Sequence, residues 1–171
     1  MNYASELNNT IYKLDFVFIR TPDRMWQLVD IQGFEDLLSE GQIKDRDTQR
    51  INDIKQLQLA LELYFDANPN HDYPDRLSQL RAPTACGTES CLSSMPADPL
   101  DGGDYSYCHV TSGLYVLGAS LEDKSNPALN CDYDGPVDNS CLEGGTTVDG
   151  GDEADCAGGN KGARFCYDVR P

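Results

Sequence analysis

Between Asp45 and Asn68 the chain runs DRDTQRINDIKQLQLALELYFDAN. Apolar residues recur at Ile51, Ile54, Leu57, Leu61 and Tyr64. Steps of three and four place one stripe along one side of a helix. Leu59, Leu63 and Phe65 widen that stripe, so the last turns are expected to be largely covered. Gln, Leu, Ala, Glu, Lys and Arg dominate, and no Gly or Pro interrupts. The rival reading is a strand, because LQLALEL alternates with a period of two; the preceding DTQRINDIKQ does not alternate and is poor in β-formers. Asp45 and Asp47 suit a helix start, where a carboxylate meets the positive end of the dipole. Pro69 closes the helix by pushing the residue before it out of the helical region. Such a helix spans roughly 36 Å and serves as a central spine or as part of a longer rod.

What can surround that helix is bounded by charge and cysteine. The 171 residues are enough for one domain with a real core, but hydrophobic content is only 39% and Gly is plentiful, so much loop is expected. A net charge of −16 disfavours nucleic acid and anionic membranes and favours cations or basic surfaces. Residues 98–171 hold 14 acidic and 4 basic side chains, and residues 1–97 hold 15 and 9, so the C-terminal part is the more acidic. All seven cysteines, Cys86, Cys91, Cys108, Cys131, Cys141, Cys156 and Cys166, follow residue 85. Cys-x-x-Cys is absent, and His71 and His109 are not spaced as zinc ligands. Disulfides in a secreted, loop-rich half fit better, with Cys86, Cys91, Cys131, Cys141, Cys156 and Cys166 as the candidates. Cys86 and Cys91 can close a small loop, and the later cysteines can staple the glycine-rich tail; one thiol of the seven is left over. Cys108 is expected to lie on a strand by the tyrosines, buried and inert. No apolar run reaches the length of a membrane span, and the first residues show no positive, apolar, small-residue signal. Secretion would therefore need a leader that these residues do not show.

In chain order, residues 1–44 form an unassigned segment, either packed on the main helix or joined from elsewhere. Leu14–Ile19 reads as a short strand. Pro22 can open a short helix through Met25, Trp26, Leu28 and Val29, and FEDLLSE, bracketed by Gly33 and Gly41, reads as another. After the main helix, residues 68–80 read as a turn and a short helical turn anchored by Tyr73 and Leu77, with His71 exposed. Tyr105–Val110 and Leu114–Glu122 predict a hairpin across Thr111-Ser112-Gly113, with Tyr105, Tyr107 and His109 on one face. From Asp123 the chain is loop-like until a last strand at Ala163–Val169.

Three stretches then become recognisable together: RDTQRINDIKQLQLALELYFDANPNHDYP, CLSSMPADPLDGGDYSY and GLYVLGASLED. In this order they resemble type IV pilin-like proteins, most of all the major pseudopilins of type II secretion, over about residues 45–123. The resemblance implies a helical spine under a small antiparallel sheet. It also implies a subunit that polymerises with other pilin or pseudopilin subunits and is membrane-anchored before assembly. Members of that family carry a leader and a strongly apolar first helix with a glutamate five residues in. Residues 1–44 show no such segment: Leu38 stands where the glutamate would follow Gly33–Phe34. The chain as written is thus expected neither to insert in a membrane nor to assemble normally.

Calcium is the cofactor to weigh, since it takes six to eight oxygens from carboxylates and carbonyls on a flexible loop. Asp132, Asp134, Asp138 and Asn139 form one acidic cluster, and Asp149, Asp152, Glu153 and Asp155 another; the alternative is a solvated acidic loop. The resemblance implies calcium in the loop after the second strand, where Asp123 stands nearest the matching position. Asp123, Asp132, Asp134 and Asp138 are therefore the candidate ligands, expected to order residues 123–160. No catalytic residue is expected: there is no P-loop or dinucleotide fingerprint, and only His71 and His109 can act as a base for a triad. Tyr64, Tyr73, Tyr105, Tyr107 and Tyr115 fit a helix–sheet core better than a ligand surface.

The expected fold is α+β: a helix on a small antiparallel sheet with a disulfide-stapled, loop-rich C-terminal region. Residues 1–44 remain the unassigned segment, appended or packed on the helix, and residues 45–171 are the head domain, whose acidic tail is 123–171. The expected function is structural, as the soluble head of a filament or pseudopilus subunit at the cell surface or envelope. The alternative is a calcium-dependent extracellular adhesion or binding module.

Overall fold

A computed structural model describes residues 2–7, 10–32, 34–111, 113–133, 141, 148, 156 and 164–171. The chain divides into two compact units, 1–44 and 45–171.

The first unit holds three antiparallel strands in the order β1 (Asn2–Leu7), β2 (Thr10–Arg20) and β3 (Trp26–Gln32). The short helix expected from Pro22 through Val29 is instead a turn followed by β3. Thr21 and Met25 close that turn through a 2.9 Å backbone hydrogen bond, and Arg24 takes a positive φ of 66° at its tip. Trp26, Leu28 and Val29 are bulky or β-branched residues that suit a strand. Helix α1 (Phe34–Ala67) begins in this unit and runs on into the second. It starts eleven residues before Asp45, the expected start. FEDLLSE is its first part and not a separate helix. Gly41 does not end it: a Cβ there would have no atom within 4 Å, and an exposed mid-helix Gly costs only about 1 kcal/mol relative to Ala.

The second unit is mixed α+β. Strands β4 (Ser106–Thr111), β5 (Leu114–Leu121) and β6 (Phe165–Val169) form an antiparallel sheet in that order, with Tyr107 opposite Leu117 and Ala119 opposite Tyr167. Because side chains alternate along a strand, the sheet has two faces, and both are buried. One face carries Tyr105, Tyr107, Tyr115, Leu117, Ala119, Leu121 and Tyr167, which meet Ile54, Leu57, Ala60 and Leu61 of α1. The stripe read from the sequence is therefore the buried flank of the helix. Leu59 and Leu63 correct that reading, because they are 62% and 46% exposed. Their steps of two from Leu57 and Leu61 turn them about 200° away from the sheet.

The other face carries Cys108, Val110, Val116 and Cys166, covered by Val148 and Cys156. At Gly118 the cover comes closest. A Cβ there would stand 2.8 Å from Cys156 Sγ and 3.2 Å from Val148 Cγ1. Cys156 is tied to Cys166 and cannot easily retreat. Gly118→Ala is expected to destabilise this unit by about 1–3 kcal/mol through overpacking. Urea unfolding measures it, and an unchanged midpoint would show that the cover yields.

The disulfides are Cys86–Cys91, Cys108–Cys141 and Cys156–Cys166, and Cys131 is free and exposed. This corrects two expectations. Cys131 was a disulfide candidate, and Cys108 an inert thiol beside the tyrosines. Cys108 instead points to the opposite face, as its odd–even position relative to Tyr107 requires, and there it reaches Cys141.

Candidate functional site

The most highly constrained polar cluster lies where three segments converge. Helix α1 supplies Asp47 and Arg50, one turn apart, so that both project to the same side. The segment before β4 supplies Asp98, and the residue after β5 supplies Glu122. Arg50 is fully buried. Its Nε and Nη2 donate to Asp98 at 2.7 and 3.0 Å, a two-pronged pair, while Nη1 donates to Asp47 at 2.7 Å and to Glu122 at 2.6 Å. The planar guanidinium fork matches this arrangement in a way an ammonium does not. Arg46 donates to both Glu122 oxygens from the more exposed side.

The carboxylates are satisfied in turn by backbone. Asp47 accepts from the N–H groups of Glu122 and Asp123 at 2.9 Å each. Asp98 accepts from Leu100 N–H at 2.8 Å. Burial opposes the charge of Arg50, but its hydrogen bonds to Asp98, Glu122 and Asp47 outweigh it and raise its pKa. Glu122 is held at about 2, first by its hydrogen bond to Arg46 and then, against burial, by Arg50. Burial alone would raise Asp98; the hydrogen bonds from Arg50 and Leu100 lower it instead. Every donor direction of Arg50 used here ends on a carboxylate of this chain, so the cluster works as a clamp joining helix, loop and strand end.

A second buried polar group is His109, on β4 and 2% exposed. Its Nε2 lies 3.0 Å from Asp72 and its Nδ1 3.4 Å from Asp75. The two carboxylates bracket the ring from the turn after α1, which fixes that turn to the sheet. Tyr107 donates to the Pro74 carbonyl at 2.7 Å and strengthens the same joint. Tyr73 meets Tyr115 edge to face, with ring centroids 4.7 Å apart, and its hydroxyl donates to Glu62. Burial, with Glu62 or Asp53 nearby, raises the pKa of Tyr73, Tyr105 and Tyr115 above the ordinary phenol range. These tyrosines pack the core and direct their hydroxyls to partners at its rim. His71 is exposed, with a positive φ of 48° in the turn.

The candidate calcium ligands do not come together among the described residues. Asp123 accepts from Ser125 N–H at 2.9 Å and from its hydroxyl at 2.6 Å, and so shapes its own turn. Asp132 accepts from Asp168 N–H at 3.4 Å, beside β6. Asp134, Asp138 and Asn139 lie outside the described residues, as do Asp149, Asp152, Glu153 and Asp155. Among the described residues no group of three or more His, Cys, Asp or Glu is placed to hold a metal ion. No described helix is long and apolar enough to cross a membrane. Three disulfides are compatible with an oxidising compartment.

Sequence reasoning passed over Arg50, Asp47, Asp98 and Glu122 as a set. One signal was present: Asp47 and Arg50 stand three apart on the helix flank that also carries Ile54 and Leu57, so a charge pair was heading into the core. No protein-family model matches the chain, no curated protein matches it, and no solved structure matches its fold.

Proposed function

We propose that the chain is a structural subunit of a type IV pilus-like filament or a type II secretion pseudopilus, with residues 45–171 as its head. One observation carries this reading. The three stretches that resemble pilin-like proteins each contribute to a single clamp: Arg50 from the helix, Asp98 from the Pro-Ala-Asp-Pro segment, and Glu122 from the end of β5. Segments that resemble a family only in their order here also share a physical joint. The helix runs under the antiparallel sheet, and its outer flank leaves Leu59 and Leu63 open. A head of this kind works by presenting shape and by contacting neighbouring subunits.

Photo-crosslinking in the source cells tests the proposal. With a photoreactive residue at position 59 or 63, the protein in the form those cells assemble is expected to yield covalent multimers, with itself or with other pilin-like subunits, in a sheared surface or envelope fraction. A chain recovered only as a free monomer, with no such adduct at either position, would overturn it.

A further inference from the structure

A recess of about 390 Å³ opens between the 3-10 turn Leu77–Arg81, the Met95–Pro96 segment and the start of β4. Its lining is mixed, with Leu77, Met95, Pro96 and the edges of the buried Tyr105 and Tyr107 on the apolar side and Ser78 and Asp104 among the polar groups. Their hydroxyls are already committed, Tyr105 to Asp53 at 2.7 Å and Tyr107 to the Pro74 carbonyl at 2.7 Å. What they offer the recess is ring surface. Arg76 and Arg81 line it from exposed positions.

These two guanidiniums stand out. Residues 45–171 contain six arginines. Arg46, Arg50 and Arg164 are ion-paired, and Arg170 lies over the Tyr133 ring at 3.5 Å. Arg76 and Arg81 have no ion pair among the described residues, although the chain carries 29 acidic side chains. Two cations without an ion pair, beside a recess that is partly apolar, fit a ligand with an apolar side chain and negative flanks.

We propose that this recess binds an acidic peptide segment of a partner protein, one that presents a large apolar side chain next to carboxylates. The apolar side chain enters against Leu77, Met95 and the tyrosine rings, where it leaves water. The carboxylates meet Arg76 and Arg81, whose forked donors suit planar, two-pronged pairing. Asp104 also lines the recess and repels a carboxylate on its side, so it directs the negative groups towards the arginines. The net charge of −16 opposes acidic ligands at long range, but beyond about 8 Å that repulsion is screened at physiological salt. Close contact at the two arginines is then selective against the rest of the surface. The inference does not rest on the filament reading, since an unassembled chain presents the same recess.

The probe is the blocked peptide acetyl-Gly-Asp-Phe-Asp-Gly-amide, titrated into the full chain and followed by amide NMR shifts and calorimetry. Saturable binding is expected to move the amides of Met95, Tyr105 and Tyr107. Replacing both Asp by Asn in the peptide is expected to weaken binding at least tenfold, and R76Q/R81Q to do the same without changing the melting temperature. If that variant melts lower, the Asp-against-Asn comparison on the unaltered chain decides alone. The proposal is overturned if those amides do not move, if a Lys-Phe-Lys peptide or the Asn peptide binds as well, or if a folded R76Q/R81Q binds undiminished. Acetate or inorganic phosphate binding as tightly as the peptide would overturn it too, because the recess would then recognise charge alone.

Discussion

Arg50→Ala is expected to destabilise residues 45–171 by about 3–5 kcal/mol, the usual cost of removing one partner from a buried ion cluster. The change strands Asp47, which is fully buried, and Asp98, which is nearly so, without the cation that compensates them. It also loosens the joint between α1, the segment before β4 and the end of β5. Arg50→Lys is expected to recover only a minor part, because one ammonium cannot replace the two-pronged bond to Asp98 and also reach Asp47 and Glu122. Urea unfolding followed by circular dichroism measures both. The clamp also predicts how acid acts. Glu122 and Asp98 have folded pKa values below their unfolded ones. Their stabilisation is thus complete above the ordinary carboxylate range of about 4 and is lost as pH falls towards the folded value of about 2 for Glu122. Unaltered protein should lose stability across that window, and Arg50→Ala should lose less. Part of the slope should remain, since Arg46 still holds Glu122. An acid slope unchanged in Arg50→Ala would mean that other groups govern it.

The second large effect concerns the Cys108–Cys141 bridge, which spans 33 residues, against 10 for Cys156–Cys166 and 5 for Cys86–Cys91. In the chain-entropy account a longer closed loop constrains the unfolded chain more. Replacing both members by Ala should then cost about 3–4 kcal/mol for Cys108–Cys141 and about 2 kcal/mol for Cys86–Cys91. Cys108 is also part of the buried second face of the sheet, so its loss removes packing in addition. Cys131→Ser is the matched control: an exposed thiol without a partner should change stability by less than about 0.5 kcal/mol. Non-reducing thermal melts rank the variants, and a thiol titration of the folded, unaltered chain should find one reactive group. Equal losses for the two bridges would count against the loop-entropy account here.

The elements that local pattern specifies were legible in the sequence. Ile54, Leu57 and Leu61 marked the buried side of α1, Tyr105–Val110 and Leu114–Glu122 marked the hairpin, and Pro69 marked the helix end, because each depends on neighbours within a few residues. The start of α1 was not legible: Gly41 looks like a terminator, yet in an exposed turn it costs too little to stop a helix that has already formed. Leu59 and Leu63 misled for a related reason, since apolar residues count toward a stripe in composition but only their angle decides which side they face. The strand at Trp26–Gln32 was missed because Pro22 reads as a helix opener, although Trp26 and Val29 favour a strand and pairing with β2 across the turn holds them in one.

By itself, then, the sequence determined an amphipathic helix, a tyrosine-bearing hairpin, a late strand and a cysteine-rich, acidic half, since periodicity and turn chemistry act over short distances. Only the tertiary structure decided that Arg50 leaves solvent to join Asp47, Asp98 and Glu122, and that Cys108 pairs across the far face of the sheet. It alone also set Arg76 and Arg81 beside one recess with Met95 and Tyr105. Each of these brings together residues from separate segments, and a side chain's partner depends on where the backbone carries it, which no local pattern encodes.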